Sequence, residues 1–184
     1  RSKKGDFREA VREGEATLAL TPDDVQAHLL LAAAYQGLRN VRGAERHYRT
    51  VIGLDPKRSE AYLFLGNLYV ESRNFAEAID TFERITAVDP DFPYVNGYVD
   101  RALIFSGRPE EALSSPALTG HHLGRYRQTN RSPWLARAYV LTGRRHEAEA
   151  LIADSADTPS ALAIVYAALG DRDRALAALE QMAA

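Results

Sequence analysis

The chain has 184 residues, 46% of them hydrophobic and 26% charged, with a formal net charge of -2, the profile of an ordinary folded domain and not of a disordered tail. That balance supplies no global positive field of the kind nonspecific nucleic-acid binding needs, which speaks against a nucleic-acid partner. The absence of cysteine excludes disulfides, thiolate metal sites and cysteine nucleophiles, and no apolar run approaches the roughly 20 residues needed to cross a bilayer.

From the N-terminus, residues 5–22 (GDFREAVREGEATLALTP) read as one helix closed by Pro22. Two long segments follow that superimpose on each other. Residues 27–56 (AHLLLAAAYQGLRNVRGAERHYRTVIGLDP) and 61–90 (AYLFLGNLYVESRNFAEAIDTFERITAVDP) pair Leu31 with Leu65, Ala32 with Gly66, Tyr35 with Tyr69, Ala44 with Ala78, Tyr48 with Phe82 and Pro56 with Pro90, each 34 apart. Tyr62, Leu65, Gly66 and Tyr69 fall at i, i+3, i+4 and i+7, the spacing of one helical face. Small residues at 32, 44, 66 and 78 let two helices approach closely, and Tyr48 and Phe82 are expected to fill the space between successive pairs. Asp55-Pro56 and Asp89-Pro90 end each second helix, because proline disfavours helix in the residue before it and cannot continue the hydrogen-bond ladder.

The register continues less regularly. Leu103, Gly107 and Ala112 take the next set of places before Ser114-Ser115-Pro116 interrupts, and Trp134 to Gly143 resumes the pattern with Tyr139 lying 36 beyond Leu103. Tyr166, Gly170 and Ala175 close it, but Tyr166 is only 27 beyond Tyr139, so the helix after Gly143 must be short. The expected units are 5–22, the second helix of a truncated repeat, then 24–56, 58–90, a degenerate repeat at 92–131, a short repeat at 132–156 and a terminal repeat at 158–184. The half repeat at the start, together with Arg1 in place of a methionine, reads as a piece of a longer protein. The last first-helix, residues 160–169, is apolar on nearly all sides, and a helix of that kind should be buried; self-association, a further domain or curling of the array would each cover it.

These residues resemble the tetratricopeptide repeat, whose pattern is Leu-Gly…Tyr…Ala-x3-Phe…Pro with a period of about 34 residues. Two places depart from it: the opening Trp is His28 and Tyr62, and the mid-turn Gly is Arg39 and Arg73. The closing sequence IVYAALGDRDRALAALEQM also resembles terminal repeats of bacterial multidomain proteins in which such arrays follow a sensor, kinase or DNA-binding domain. The resemblance implies an all-α, right-handed superhelical solenoid of antiparallel helix pairs, about five pairs plus one orphan N-terminal helix. It implies a noncatalytic scaffold for a protein or peptide partner; a regulatory or docking arm of a larger enzyme or transcription regulator, and a self-assembly module, are the alternatives. The compartment stays open, with the cytoplasm slightly favoured.

Nothing in the sequence points to an active site, a cofactor or a small-molecule substrate. His28, His47 and His146 stand alone, and His121-His122 lack a partner at the i+3 or i+4 spacing that helical zinc ligands use. Neither a Gly-x-x-x-x-Gly-Lys loop nor a Gly-x-Ser-x-Gly elbow occurs. Asp23-Asp24 and Glu110-Glu111 sit at helix starts, where they answer the positive end of the helix dipole. The basic and aromatic stretch His121 to Arg131 is read as a loosened helix end with solvated arginines in preference to a patch for an acidic partner.

In the family, first helices line a concave channel. Carried onto this sequence, the lining is Gln26, Leu30, Ala33 and Gln36, then Glu60, Phe64, Asn67 and Glu71, then Tyr94, Tyr98, Arg101 and Phe105, then Asn130, Trp134, Arg137 and Leu141. Asn67, Arg101 and Arg137 fall at equivalent places one repeat apart, a ladder of donors for a peptide; the competing reading has the arginines paired with Glu71 or other acids. Asn67, Glu71, Tyr94, Tyr98, Arg101, Trp134 and Arg137 are the partner-binding candidates. The family's clamp for acidic chaperone tails is absent, since Leu29, Ala33, Phe64, Tyr94 and Tyr98 occupy its places.

Overall fold

The computed structural model describes residues 3–92, 95–114 and 133–182. Tyr94, Asn130 and the His121 to Arg131 stretch lie outside the described residues. Among those described the fold is all-α, eleven helices with no strand. The chain forms two compact units, Arg1–Pro93 and Tyr94–Ala184.

The first unit begins with α1 (Lys3–Leu20), which packs on α2 (Val25–Gly37); α2 forms a hairpin with α3 (Val41–Leu54), and α4 (Ser59–Glu71) forms the next with α5 (Phe75–Val88). In the second unit α6 (Val95–Phe105) meets α7 (Pro109–Ser114), α8 (Leu135–Leu141) meets α9 (Arg145–Asp154), and α10 (Pro159–Leu169) meets α11 (Arg172–Glu180). The helix after Gly143 is short, as its spacing requires: α9 has 10 residues where α3 and α5 have 14.

Every hairpin among the described residues is closed the same way. Just beyond the first helix, one residue adopts the left-handed conformation: Arg39, Arg73, Gly107 and Gly143, each two places past the helix end, and Gly170, directly after it. The next residue's N–H then reaches back five positions: Asn40 to the Tyr35 carbonyl at 2.8 Å, Asn74 to Tyr69 at 2.8 Å, Arg108 to Leu103 at 2.9 Å, Arg144 to Tyr139 at 2.7 Å and Asp171 to Tyr166 at 2.9 Å. A second bond joins the left-handed residue itself to the carbonyl three back, as in Arg39 to Gln36 at 2.9 Å and Gly170 to Ala167 at 3.2 Å. This is the double closure of the Schellman motif, which satisfies carbonyls that the helix end leaves open. Asn40 and Asp171 also start the following helices, accepting from the N–H of Gly43 at 3.0 Å and of Arg174 at 3.1 Å. Only three residues separate the two helices at four of these hairpins, and two at the last.

Inside the pairs the small places are fully buried: Ala32, Ala44, Ala78, Ala112, Ala136 and Ala148 expose nothing. Gly66 shows why size matters there, because a Cβ on it would come within 2.3 Å of the Phe82 ring. Phe82 therefore fills its own pair, whereas Tyr48 reaches the next one, its ring 5.9 Å from that of Phe64. At the C-terminal end, α10 is better covered than its composition suggests, packed by α8, α9 and α11. The apolar exposure falls on α11 and just beyond, at Leu176, Leu179 and Met182.

An L-residue in the left-handed region costs roughly 1–2 kcal/mol, partly offset by its smaller unfolded-state freedom relative to glycine. Arg39→Gly is therefore expected to raise unfolding stability by about 0.5–1 kcal/mol, and Gly107→Ala to lower it by about 1 kcal/mol. Shifts of the urea midpoint in opposite directions, at unchanged slope, are the check.

Candidate functional site

The candidate residues fall into two groups, one in each unit. In the first unit, Asn67 and Glu71 lie one turn apart on α4. Glu71 accepts a bond from Gln36 Nε2 at 2.9 Å, and Gln36 Oε1 accepts from the Tyr48 hydroxyl at 3.1 Å, so a polar chain ties α2, α3 and α4. A recess of about 250 Å³ opens beside it, lined by Gln36, Arg39, Val41, Leu68, Glu71 and Ser72. Leu30 and Phe64, at equivalent places on α2 and α4, are 44% and 42% exposed. They add an apolar row to this polar one.

In the second unit, Tyr98, Arg101 and Phe105 project from α6, while Trp134 and Arg137 stand at the start of α8 and within it. These five interleave. The Arg101 guanidinium lies 5.6 Å from the Tyr98 ring centre and 5.9 Å from that of Trp134. Arg137, exposed, lies 5.9 Å from the Phe105 ring centre, and Phe105 meets Trp134 edge-on at 5.5 Å. Each such cation–ring contact contributes roughly 0.5–1 kcal/mol at an exposed site and fixes the guanidinium plane.

Two polar features went unread in the sequence. His28 and His47, 19 residues apart, meet in the first unit with their Nδ1 atoms at 2.9 Å, both rings buried. His28 Nε2 lies 3.0 Å from the Pro22 carbonyl, which can only accept, so in the neutral pair that nitrogen donates and His28 Nδ1 accepts from His47 Nδ1–H. The Tyr35 ring stacks on His47 at 5.6 Å. The expectation that these histidines stand alone is corrected on this point: each occupies an aromatic or inward place of its helix, and the hairpin brings the two places together. A bond between two ring nitrogens leaves no room for a metal between them, and no metal-holding cluster of His, Asp and Glu occurs among the described residues.

The second feature is Asp100, 34 beyond Gly66 and therefore in the small seam place, with only 1% of its surface exposed. Its Oδ1 makes no hydrogen bond, and burial pushes its carboxyl up to about 7. Extending the register from Ala32 and Gly66 by one more period would have found it.

The two titrations act in opposite directions. Burial, then the neighbouring Arg46 and His28 charges, pushes His47 down from 6.5 to about 4. Between those values the unfolded chain binds a proton that the folded chain refuses, so acidification through this window is expected to remove on the order of 2 kcal/mol. Urea midpoints across that range measure the loss, and His47→Gln flattens the slope. At Asp100 the folded value lies above the unfolded one, so stability is complete below 3.8 and is lost as pH rises through about 7. Asp100→Ala is expected to raise the thermal midpoint more at about pH 8 than at about pH 4.

A family model described as tetratricopeptide repeat matches residues 38–97, from the first hairpin turn to the start of α6. That segment matches the tetratricopeptide repeat, and the described helices share the fold of solved tetratricopeptide-repeat proteins. Among solved structures, MamA aligns at 21% identity and a TM-score of 0.64, over 98% of this chain and 92% of that one. YrrB, described as a tetratricopeptide-repeat protein with an unusual peptide-binding site, aligns at 19% identity and 0.55, over 91% and 89%. A thermophilic tetratricopeptide-repeat protein of Thermus thermophilus aligns at 21% identity and 0.61, over 96% and 92%. No curated protein matches the chain.

Proposed function

We propose that this chain is a noncatalytic protein-interaction scaffold that holds a peptide or helix of a partner along its first-helix faces, through Asn67, Glu71, Tyr94, Tyr98, Arg101, Trp134 and Arg137. The observation that carries this reading is the interleaving of Arg101 and Arg137 with Tyr98, Phe105 and Trp134. A guanidinium held against a ring loses little further freedom when it bonds to a partner's carbonyl or carboxylate, and arginine with tyrosine and tryptophan is the usual composition of binding hot spots. The shared fold with YrrB, whose description names a peptide-binding site, supports the same reading.

The two halves would contribute differently. The first offers Leu30 and Phe64 for apolar side chains and Asn67 for a peptide backbone; the second offers cations on a ring platform. Replacing Arg101 and Trp134 together by alanine is expected to abolish retention of the partners that the wild-type protein captures from a cell extract, with helicity by circular dichroism unchanged. Equal retention by the variant would remove these residues from the site.

A further inference from the structure

On the opposite side of the first hairpin, α3 presents Arg42, Arg46 and Arg49 to solvent along a single row, at i, i+4 and i+7. Together with Glu45 and Thr50 these residues line an open depression of about 630 Å³. The acid within it is already engaged, since Glu45 accepts from Arg49 at 3.0 Å and from the Tyr69 hydroxyl at 2.7 Å. Arg42 and Arg46 make no ion pair among the described residues. One period earlier the same row of α1 carries Arg8 and Arg12, likewise exposed and without an ion pair among the described residues, and ends at Glu15, which accepts from the Tyr35 hydroxyl at 3.0 Å. Both α1 and α3 pack on α2, so the two rows share one side of the unit by repeat register.

This arrangement works against the helix that bears it. Arg42 stands in the first turn of α3, which has no acidic residue there, so its charge opposes the positive end of the dipole, and Arg46 one turn on repels it. Glutamate at 42 would answer both. We infer that the Arg42, Arg46 and Arg49 row, continued by Arg8 and Arg12, docks an acidic segment of another protein whose carboxylates are spaced one helical turn apart.

The extent of the patch selects that occupant. From Arg42 to Arg49 the row runs about 10 Å, and the corresponding row of α5 holds Ala76, Asp80 and Glu83, so the positive charge stops within the unit. A nucleic acid or an anionic membrane presents negative charge over a longer reach than this row and would meet the acids of α5. Carboxylates one turn apart match the arginine spacing, and each pair can form the bidentate bond that a guanidinium favours. The inference is independent of the first-helix site.

The test uses the whole chain and an alanine-based helical peptide of about 16 residues carrying glutamates one turn apart, with its glutamine counterpart, a single-stranded oligonucleotide and phosphatidylserine vesicles as competing probes. The glutamate peptide is expected to bind, more weakly at higher salt, and the glutamine peptide not to bind. Affinity should fall about tenfold or more in Arg42→Glu/Arg46→Glu. It should hold in Lys57→Glu/Arg172→Glu, which changes net charge equally at exposed residues elsewhere. Circular dichroism keeps the variants comparable, and Arg42→Glu alone should raise the thermal midpoint by about 2 °C. Equal loss in the two charge-reversed variants, no binding of the glutamate peptide, or tighter binding of the oligonucleotide or vesicles would overturn the inference.

Discussion

The hydrogen bond that closes each hairpin is the constraint from which the rest follows. It runs from the residue after a left-handed position to a carbonyl five residues back, and it occurs at all five hairpins among the described residues. Because it fixes both the end of one helix and the start of the next, it fixes which side of each helix faces its mate. A one-residue slip at such a turn would rotate the second helix by about 100° and turn its small seam residue away from the first. Close packing at Gly66 against Phe82 could not survive that rotation.

Fixing the seam also fixes what is left outside. With Leu65, Gly66 and Tyr69 turned inward on α4, Phe64, Asn67 and Glu71 must lie along its other side; on α6 the same geometry buries Leu103 and presents Tyr98, Arg101 and Phe105. The two units then diverge in chemistry, not in plan. In the first the outward row is joined by hydrogen bonds that run from the Tyr48 hydroxyl through Gln36 to the Glu71 carboxylate, and in the second by cations stacked on rings. Asp100 departs from the plan in another way: a carboxyl occupies a place where a methyl group or nothing stands in the units before and after it.

Much of this was legible in the sequence because it depends on short spacings. The 34-residue identities at Tyr35 and Tyr69, Ala44 and Ala78, and Pro56 and Pro90 mark helix ends and seams directly, and the 27-residue interval before Tyr166 foretells the shortened α9. Features that depend on two distant side chains meeting were not legible. His28 and His47 read as isolated residues until the hairpin superposes them. The stacking of Arg101 between Tyr98 and Trp134 joins α6 to the start of α8, across an interval whose spacing departs from the period. Asp100 was legible in principle, one period beyond Gly66, but a seam place is marked only by its small size, and a carboxyl there carries no local spacing signal of its own.

The tightness of the hairpins determines where such a chain can change length. With a left-handed residue at Arg39 and a helix-starting side chain at Asn40, each turn is already at its minimum, and an inserted residue would break two hydrogen bonds at once. The ends of the second helices carry no such double closure: α3 and α5 finish at Asp55 and Asp89 before a proline, and α9 has lost about a turn without disturbing the hairpin that follows it. Insertions, deletions and recombination between repeats would therefore accumulate at the junctions between hairpins, while the turns inside them stay fixed in length. A designer exchanging units in this array would cut at Pro56 or Pro90 and leave every hairpin intact.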